Sequence, residues 1–184
     1  MDTTSVTIVA FNSAANLVVQ LSPLTSDKAT LLAAINGLTT GGGTLIGSRI
    51  EMATAELTGV RHTLGRSQQM VVLSDGVSSG NPLTAAASAA AAGVDAIHTV
   101  GTPGHSVAQM RGIAAGPDGI YGTADDYGIY TPVTDLSLLE GLFSGSGGNL
   151  VGIDRVVVTL PDGTEQEVPV DGLGNFSAPS EWAM

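Results

Sequence analysis

The strongest constraint on the fold is a short apolar run, Val71 to Leu73, that leads directly into Ser74-Asp75-Gly76. A wholly apolar segment of this length, bounded by polar residues, is typical of a parallel strand that is covered on both faces. In open α/β sheets, ligands bind outside the carboxyl ends of the strands, so we expect Asp75 to lie at a functional site. Thr44 follows a glycine run earlier in the chain, and we expect it to reach the same edge.

Strands and helices alternate along most of the chain. Apolar and β-branched runs predict strands at Val6–Phe11, Leu17–Leu21, Asp95–Gly101 and Gly128–Val133, of which Leu17–Leu21 returns antiparallel to the first. Helical spacing and capping residues predict helices from Ser26 to Gly37, from Thr44 to Leu57, from Pro82 to Ala92, from Val107 to Ala114, and beyond Thr134 or Asp135. This alternation predicts an α/β fold with a mainly parallel sheet.

Two loops of the chain resemble the von Willebrand factor type A (VWA) family. Gly42-Gly43-Thr44 is similar to the second loop of that family's metal-ion-dependent adhesion site, and Ser74-Asp75-Gly76 is similar to the third. The resemblance implies a Rossmann-like three-layer α/β/α domain over residues 1–144. It also implies a site for Mg²⁺ or Ca²⁺ at Thr44 and Asp75, with Gly43 and Gly76 beside them in the ligand-binding surface.

The family's first loop, Asp-x-Ser-x-Ser, is not found in this chain, since Asp2-Thr3-Thr4-Ser5 does not match it. In the family, that loop ends the first and central strand, so the sheet is expected to lack its middle strand. Three explanations are open: the chain is a fragment of a longer protein, a second chain supplies the strand, or the remaining strands close up. We expect the first, an N-terminally incomplete domain.

Thr44 and Asp75 provide only two of the six oxygen ligands that Mg²⁺ prefers, so the expected site is partial. A purely structural role is the alternative. In that interpretation Thr44 caps the helix after the glycine loop, and Asp75 caps the turn that runs from Val77 to Gly80.

A second candidate cation site lies in the glycine-rich insertion of residues 116–126. Asp118, Asp125 and Asp126 could hold Ca²⁺ there. The segment does not match the EF-hand pattern, because Ile120 stands where an oxygen ligand is required. The alternative is a pair of solvated turns.

No enzyme signature emerges from the remaining motifs. The glycines of 42–47 are followed by Ser48 where a phosphate loop requires Lys, and no Gly-x-Ser-x-Gly nucleophile motif is present. The three histidines, His62, His98 and His105, are far apart in the sequence and predict no zinc or triad site. We therefore predict a protein that is not an enzyme.

The charge and composition of the chain limit the classes of partner that it can bind. The net charge of −11, with only six Lys and Arg, disfavours nucleic acids and anionic membranes and suits a divalent cation. Without Cys the chain has neither disulfides nor thiolate sites, and no segment has the length and hydropathy of a membrane span. The resemblance implies an extracellular or bacterial cell-surface location and a protein or cell-surface partner.

The last part of the chain differs in composition. A Gly/Ser linker is predicted at 145–150, and residues 151–184 resemble the β-hairpin start of an Ig-like or repeat module. The complete prediction is a protein-interaction or adhesion module with a degenerate metal-ion-dependent adhesion site. The alternative function is a structural spacer of a modular bacterial adhesin, stabilised by Ca²⁺ at the insertion carboxylates.

Overall fold

The computed structural model describes residues 5–11, 15–39, 41–138, 156–159 and 165–168, which belong to two compact units, Met1–Pro132 and Val133–Met184. The first unit contains, in chain order, β1 (Ser5–Phe11), β2 (Ala15–Pro23), α1 (Leu24–Asn36), α2 (Ile46–Leu57), β3 (Gln69–Ser74), α3 (Pro82–Ala91), β4 (Ala96–Gly101), α4 (Val107–Ala114) and β5 (Tyr130–Pro132). The second unit contains β6 (Val156–Thr159) and β7 (Glu165–Val168).

A three-stranded parallel sheet of order β3-β4-β5 forms the centre of the first unit. Met70 pairs with Ile97 across β3 and β4, and Thr99 pairs with Tyr130 across β4 and β5. Helices α2, α3 and α4 contribute to one apolar core with this sheet, in which Ile46, Ile50, Met110 and Ile113 are at most 1% exposed. The predicted α/β fold is therefore confirmed.

Strand β3 departs from its prediction in one respect. Met70, Val72 and Ser74 are buried, but Val71 and Leu73, on the other face, are 36% and 41% exposed. The expectation that both faces of this strand are covered is wrong. Among the described elements, β3 contacts only β4 and α2, so its second face has no helix packed on it.

The N-terminal strands form a separate two-stranded sheet. β1 and β2 are antiparallel, as predicted, with Ser5 opposite Pro23 and Phe11 opposite Ala15. Among the described strands, neither β1 nor β2 pairs with β3. The explanation in which the remaining strands close up around a missing neighbour is therefore wrong for this structure.

The starts of helices that were predicted from neighbouring residues agree with the structure in some cases and differ in others. Helix α3 begins after Asn81, whose side chain accepts a hydrogen bond from the Thr84 amide, and α4 begins after Ser106, which accepts one from the Gln109 amide. Both agree with the prediction. Helix α1 instead begins at Leu24, so Ser26 lies within its first turn and is not its cap.

In the second unit, β6 and β7 pair antiparallel with Val156 opposite Val168, which confirms the predicted hairpin. The segment between these two strands, the predicted linker at 145–150 and the continuation of the last helix past Leu138 lie outside the described residues. At the predicted start of that helix, the Asp135 carboxylate accepts a hydrogen bond from the Ser137 amide at 2.9 Å. Within the described ranges, no helix is long and apolar enough to span a membrane.

Candidate functional site

The carboxyl end of β3 turns sharply at Ser74-Asp75-Gly76. The Ser74 carbonyl accepts a hydrogen bond from the Thr102 amide at 3.0 Å, which continues the pairing with β4. The Ser74 hydroxyl accepts one from the Gly76 amide at 3.2 Å, a turn that serine side chains commonly stabilise. Asp75 projects from this turn and is exposed.

Thr44 lies directly against the same turn. A Cβ placed on Gly76 would lie 2.5 Å from the Thr44 hydroxyl oxygen, so a side chain at that position would displace Thr44. The Thr44 carbonyl also accepts a hydrogen bond from the Ser79 amide at 3.0 Å. The structure therefore brings Thr44 beside Asp75 and Gly76 at the carboxyl edge of the sheet, although they belong to separate loops.

The capping roles considered for Thr44 and Asp75 are performed by other residues. Leu45 occupies the N-cap of α2 without a side-chain cap, and the Ile46 amide donates to the Ser78 hydroxyl at 2.9 Å. The hydroxyl of Ser74, and not the Asp75 carboxylate, closes the turn. In the part of the chain that the structure describes, neither the Thr44 hydroxyl nor the Asp75 carboxylate makes a hydrogen bond or ion pair.

Two residues that the sequence did not nominate hold this edge in place. The Gln109 side chain, on α4, accepts a hydrogen bond from the Ser78 amide and donates one to the Ser78 carbonyl, both at 2.8 Å. This amide clamp fixes the loop after Asp75 against α4, while Ser78 also binds the start of α2. Gln109 is far from Ser78 in the chain, so no local sequence signal indicates the contact.

Gly104 brings a third loop close to Asp75. A Cβ on Gly104 would lie 2.6 Å from the Asp75 carbonyl oxygen, and Gly104 has a positive φ of 105°. Both the close approach and the left-handed backbone conformation require glycine. The loop after β4 thus packs on the backbone of Asp75 and leaves its carboxylate free.

The side-chain oxygens of Thr44 and Asp75 are of the type that binds a hard divalent cation. A threonine hydroxyl and an exposed carboxylate are among the ligands that Mg²⁺ and Ca²⁺ prefer. Two side chains leave most of an octahedral shell to water or to groups of another molecule. Among the described residues, no group of three or more His, Cys, Asp or Glu is arranged to hold a metal ion.

The insertion carboxylates surround a threonine. The Thr123 hydroxyl lies 2.8 Å from Asp125 Oδ1, 3.4 Å from Asp118 Oδ2 and 3.5 Å from Asp126 Oδ1. Asp118 accepts a hydrogen bond from the Ile120 amide, and Asp126 accepts one from the Gly122 amide, each at 2.8 Å. These bonds are those of two aspartate-stabilised turns. The absence of a metal-holding group of three or more His, Cys, Asp or Glu among the described residues includes this insertion.

The three histidines are separately engaged and do not form one site. His98 is buried in β4, where its Nδ1 accepts a hydrogen bond from the Ile129 amide at 3.1 Å and burial lowers its pKa. His105 lies 2.7 Å from both the Thr102 carbonyl and the Tyr130 hydroxyl. His62 lies against the Leu57 carbonyl at 3.2 Å. These contacts fix loop positions and nominate no catalytic group.

Comparison with known proteins identifies the architecture. The sequence model of the von Willebrand factor type A domain matches residues 1–144. Among solved structures, the chain is similar to the manganese-loaded TRAP protein of Plasmodium vivax, with a TM-score of 0.59 and 19% sequence identity. The match covers 77% of this chain and 56% of that one, so this chain spans little more than half of its length. No curated protein gives a significant match.

Proposed function

Because the chain belongs to the von Willebrand factor type A family, we propose that it is a non-enzymatic module for protein binding or adhesion. In this proposal Thr44 and Asp75 are the retained part of a metal-ion-dependent adhesion site, and Gly43 and Gly76 border its binding surface. The ligand is a protein or a cell-surface partner, and the location is extracellular or at the cell surface. The net charge of −11 argues against nucleic acid as the ligand.

The observation that carries the proposal is the state of two oxygen-bearing side chains. The Thr44 hydroxyl and the Asp75 carboxylate share one edge of the sheet, and neither has a hydrogen-bond partner among the described residues. Side chains of this kind commonly form caps and turns, but here Ser74 and Ser78 have that role. Both oxygens are thus left available to an external group.

A divalent cation at this edge would supply positive charge that can accept a carboxylate of a partner protein. Thr44 and Asp75 would hold it, and water or the partner would complete its shell. With only two protein ligands, we expect the site to bind the cation weakly, so that millimolar concentrations of the cation are needed. The manganese in the similar TRAP structure makes Mn²⁺ a suitable probe.

Thermal unfolding in EDTA, and then with millimolar Mn²⁺, Mg²⁺ or Ca²⁺, tests the cation. A cation that binds only the folded protein raises the midpoint of thermal unfolding. At a cation concentration of roughly ten times the dissociation constant, the free energy of unfolding increases by about 1.4 kcal/mol. We expect this increase in the wild type and its loss in Thr44→Ala and Asp75→Asn. The matched controls Thr63→Ala and Glu51→Gln, at exposed positions, should keep it.

The same experiment separates adhesion from the spacer alternative. If the midpoint responds to Ca²⁺ alone and only Asp118→Asn, Asp125→Asn or Asp126→Asn abolishes the response, the spacer interpretation is correct and the adhesion site is not. If no cation shifts the midpoint, Thr44 and Asp75 are not a metal site, and the proposed cation-assisted binding fails.

A further inference from the structure

The turn at residues 74–76 is held by the loop that follows β4. The first carbonyl of the turn accepts a hydrogen bond from the Thr102 amide at 3.0 Å, and the third accepts one from the Ser106 amide at 3.4 Å. The second carbonyl, that of Asp75, lies against Gly104. All three carbonyls of the turn are therefore contacted by one loop, which fixes the backbone from which the Asp75 carboxylate projects.

Residues 102–106, which we call the β4 loop, are in turn held by His105. Its Nδ1 lies 2.7 Å from the Thr102 carbonyl oxygen, and its Nε2 lies 2.7 Å from the Tyr130 hydroxyl oxygen. A carbonyl can only accept, so Nδ1 carries the hydrogen of a neutral imidazole and Nε2 accepts a hydrogen bond from Tyr130. One side chain thus joins the β4 loop to strand β5.

Tyr130 is a well-held anchor for this bond. It is only 7% exposed, and its backbone amide donates a hydrogen bond to the Tyr121 hydroxyl at 2.8 Å. The Arg111 guanidinium lies 5.5 Å from the centre of the Tyr130 ring and 5.9 Å from that of Tyr121, distances at which an aromatic face attracts a cation. Burial raises the pKa of Tyr130, so its hydroxyl keeps the hydrogen that it donates to His105.

The end of β4 is also shaped around the imidazole. A Cβ on Gly101, the last residue of β4, would overlap the His105 ring. The φ of Gly101 is not positive, so glycine is required there for space and not for backbone conformation. This close approach supports a defined position of His105 independently of its two hydrogen bonds.

We propose that His105 is a positioning residue for the cation site: it holds the β4 loop, and the loop holds Asp75 in place to bind a divalent cation. The inference rests on the proposed function, and His105 itself does not touch the cation. Among the described residues, no group bonds the Asp75 carboxylate, so its position depends on the backbone that carries it. Mutation of residues that orient metal ligands commonly weakens metal binding about 10- to 100-fold.

Mn²⁺ titration of the whole chain, followed by paramagnetic broadening of the Gly76 amide signal in NMR spectra, measures cation binding at this edge. We expect saturable broadening in the wild type. His105→Ala removes both imidazole contacts and should raise the Mn²⁺ dissociation constant by about tenfold. Tyr130→Phe keeps the ring beside Arg111 and removes only the hydroxyl, so it should weaken binding in the same direction by a smaller factor.

Two variants serve as matched controls. His62→Ala removes a histidine that also lies against a carbonyl, that of Leu57, but in the connection before β3. Tyr127→Phe removes a tyrosine hydroxyl outside the contacts of His105. Both controls should bind Mn²⁺ like the wild type, and circular dichroism establishes that every variant is folded. A general loss of stability would not separate the two histidine variants in this way.

Amide hydrogen exchange in EDTA tests the holding step without any cation. We expect faster exchange at the Thr102 and Ser106 amides in His105→Ala, because both donate to the turn at residues 74–76. Exchange at these amides in His62→Ala should equal that of the wild type.

The outcomes distinguish this inference from the proposed function. If the wild type shows no Mn²⁺ binding at Gly76, the proposed cation site and the inference both fail. If the wild type binds Mn²⁺ and both His105→Ala and Tyr130→Phe bind it equally well, only the inference is overturned. Unchanged exchange at the Thr102 and Ser106 amides in His105→Ala would also overturn it, because the β4 loop would then be held without the imidazole.

Discussion

The parallel sheet and the N-terminal hairpin are both built from apolar, β-branched strands, yet they bury these strands to very different degrees. In β4, Ile97 and Val100 are completely buried, whereas Ser5 to Ala10 of β1 are all half-buried. Strand β4 has a strand on each side and α4 against it, but β1 has only β2 as a strand partner among the described elements. Composition specifies a strand, and its neighbours decide how much stability it provides.

The largest expected difference between the two regions is the cost of shortening a core side chain. Ile97→Ala should lower the free energy of unfolding by about 2–5 kcal/mol, because it leaves a cavity in a site that is fully enclosed. Val9→Ala in β1 should lower the free energy of unfolding by only about 1 kcal/mol or less, since Val9 is only half-buried. Urea unfolding of both variants measures the difference, and equal losses would contradict this comparison.

The contact between the hairpin and α2 gives the next largest effect. The Glu56 carboxylate accepts hydrogen bonds from the Leu21 amide at 3.2 Å and from Arg61 Nε at 3.0 Å, and it also pairs with Arg61 Nη2. The Arg61 hydrogen bond keeps the pKa of Glu56 below its usual value. Glu56→Ala removes all of these bonds and should cost about 1–3 kcal/mol.

Hydrogen exchange shows where that loss occurs. We expect faster exchange at β2 amides in Glu56→Ala, with β4 amides little changed, because the hairpin can open separately. Glu51→Ala, on an exposed site of the same helix, is the matched control and should change neither. Uniform acceleration across both sheets would mean that hairpin and parallel sheet unfold as one unit.

The same contrast explains what could be predicted from the sequence. Helices α3 and α4 begin at Pro82 and Val107 as the sequence predicted, and the structure adds that the neighbouring Asn81 and Ser106 cap them. Val71 and Leu73 have the composition of a buried strand, but their exposure depends on which elements pack beside β3, and that is not encoded locally. At the candidate site, the glycine loop and Asp75 were recognisable, whereas the Ser78–Gln109 clamp joins residues far apart in the chain.

A smaller effect is expected from a hydrogen bond inside the parallel sheet region. The Thr99 hydroxyl, in β4, is fully buried and donates to the Met110 carbonyl of α4 at 3.0 Å. Thr99→Val keeps the shape of the side chain and removes the donor, so it should cost about 0.5–1.5 kcal/mol. Thermal unfolding measures it, with the exposed Thr63→Val as control. A more stable variant would mean that this bond contributes nothing net.

The smallest expected effect is a pH dependence that arises from His98 in the parallel sheet. Burial lowers its pKa below the ordinary 6.5, and its Nδ1 accepts the Ile129 amide hydrogen bond. As the pH falls below about 6.5, the unfolded chain binds a proton that the folded protein resists, so His98 reduces stability toward acid.

His98→Asn offers an amide oxygen to the Ile129 amide but cannot be protonated in this range. We therefore expect the free energy of unfolding of the variant to fall less than that of the wild type between about pH 7.5 and pH 5.5. His62 and His105 are present in both proteins, so the difference between the two urea-unfolding profiles isolates His98. If the profiles are parallel, the sheet accommodates a charged imidazole, and β4 is less tightly enclosed than the contrast with the hairpin implies.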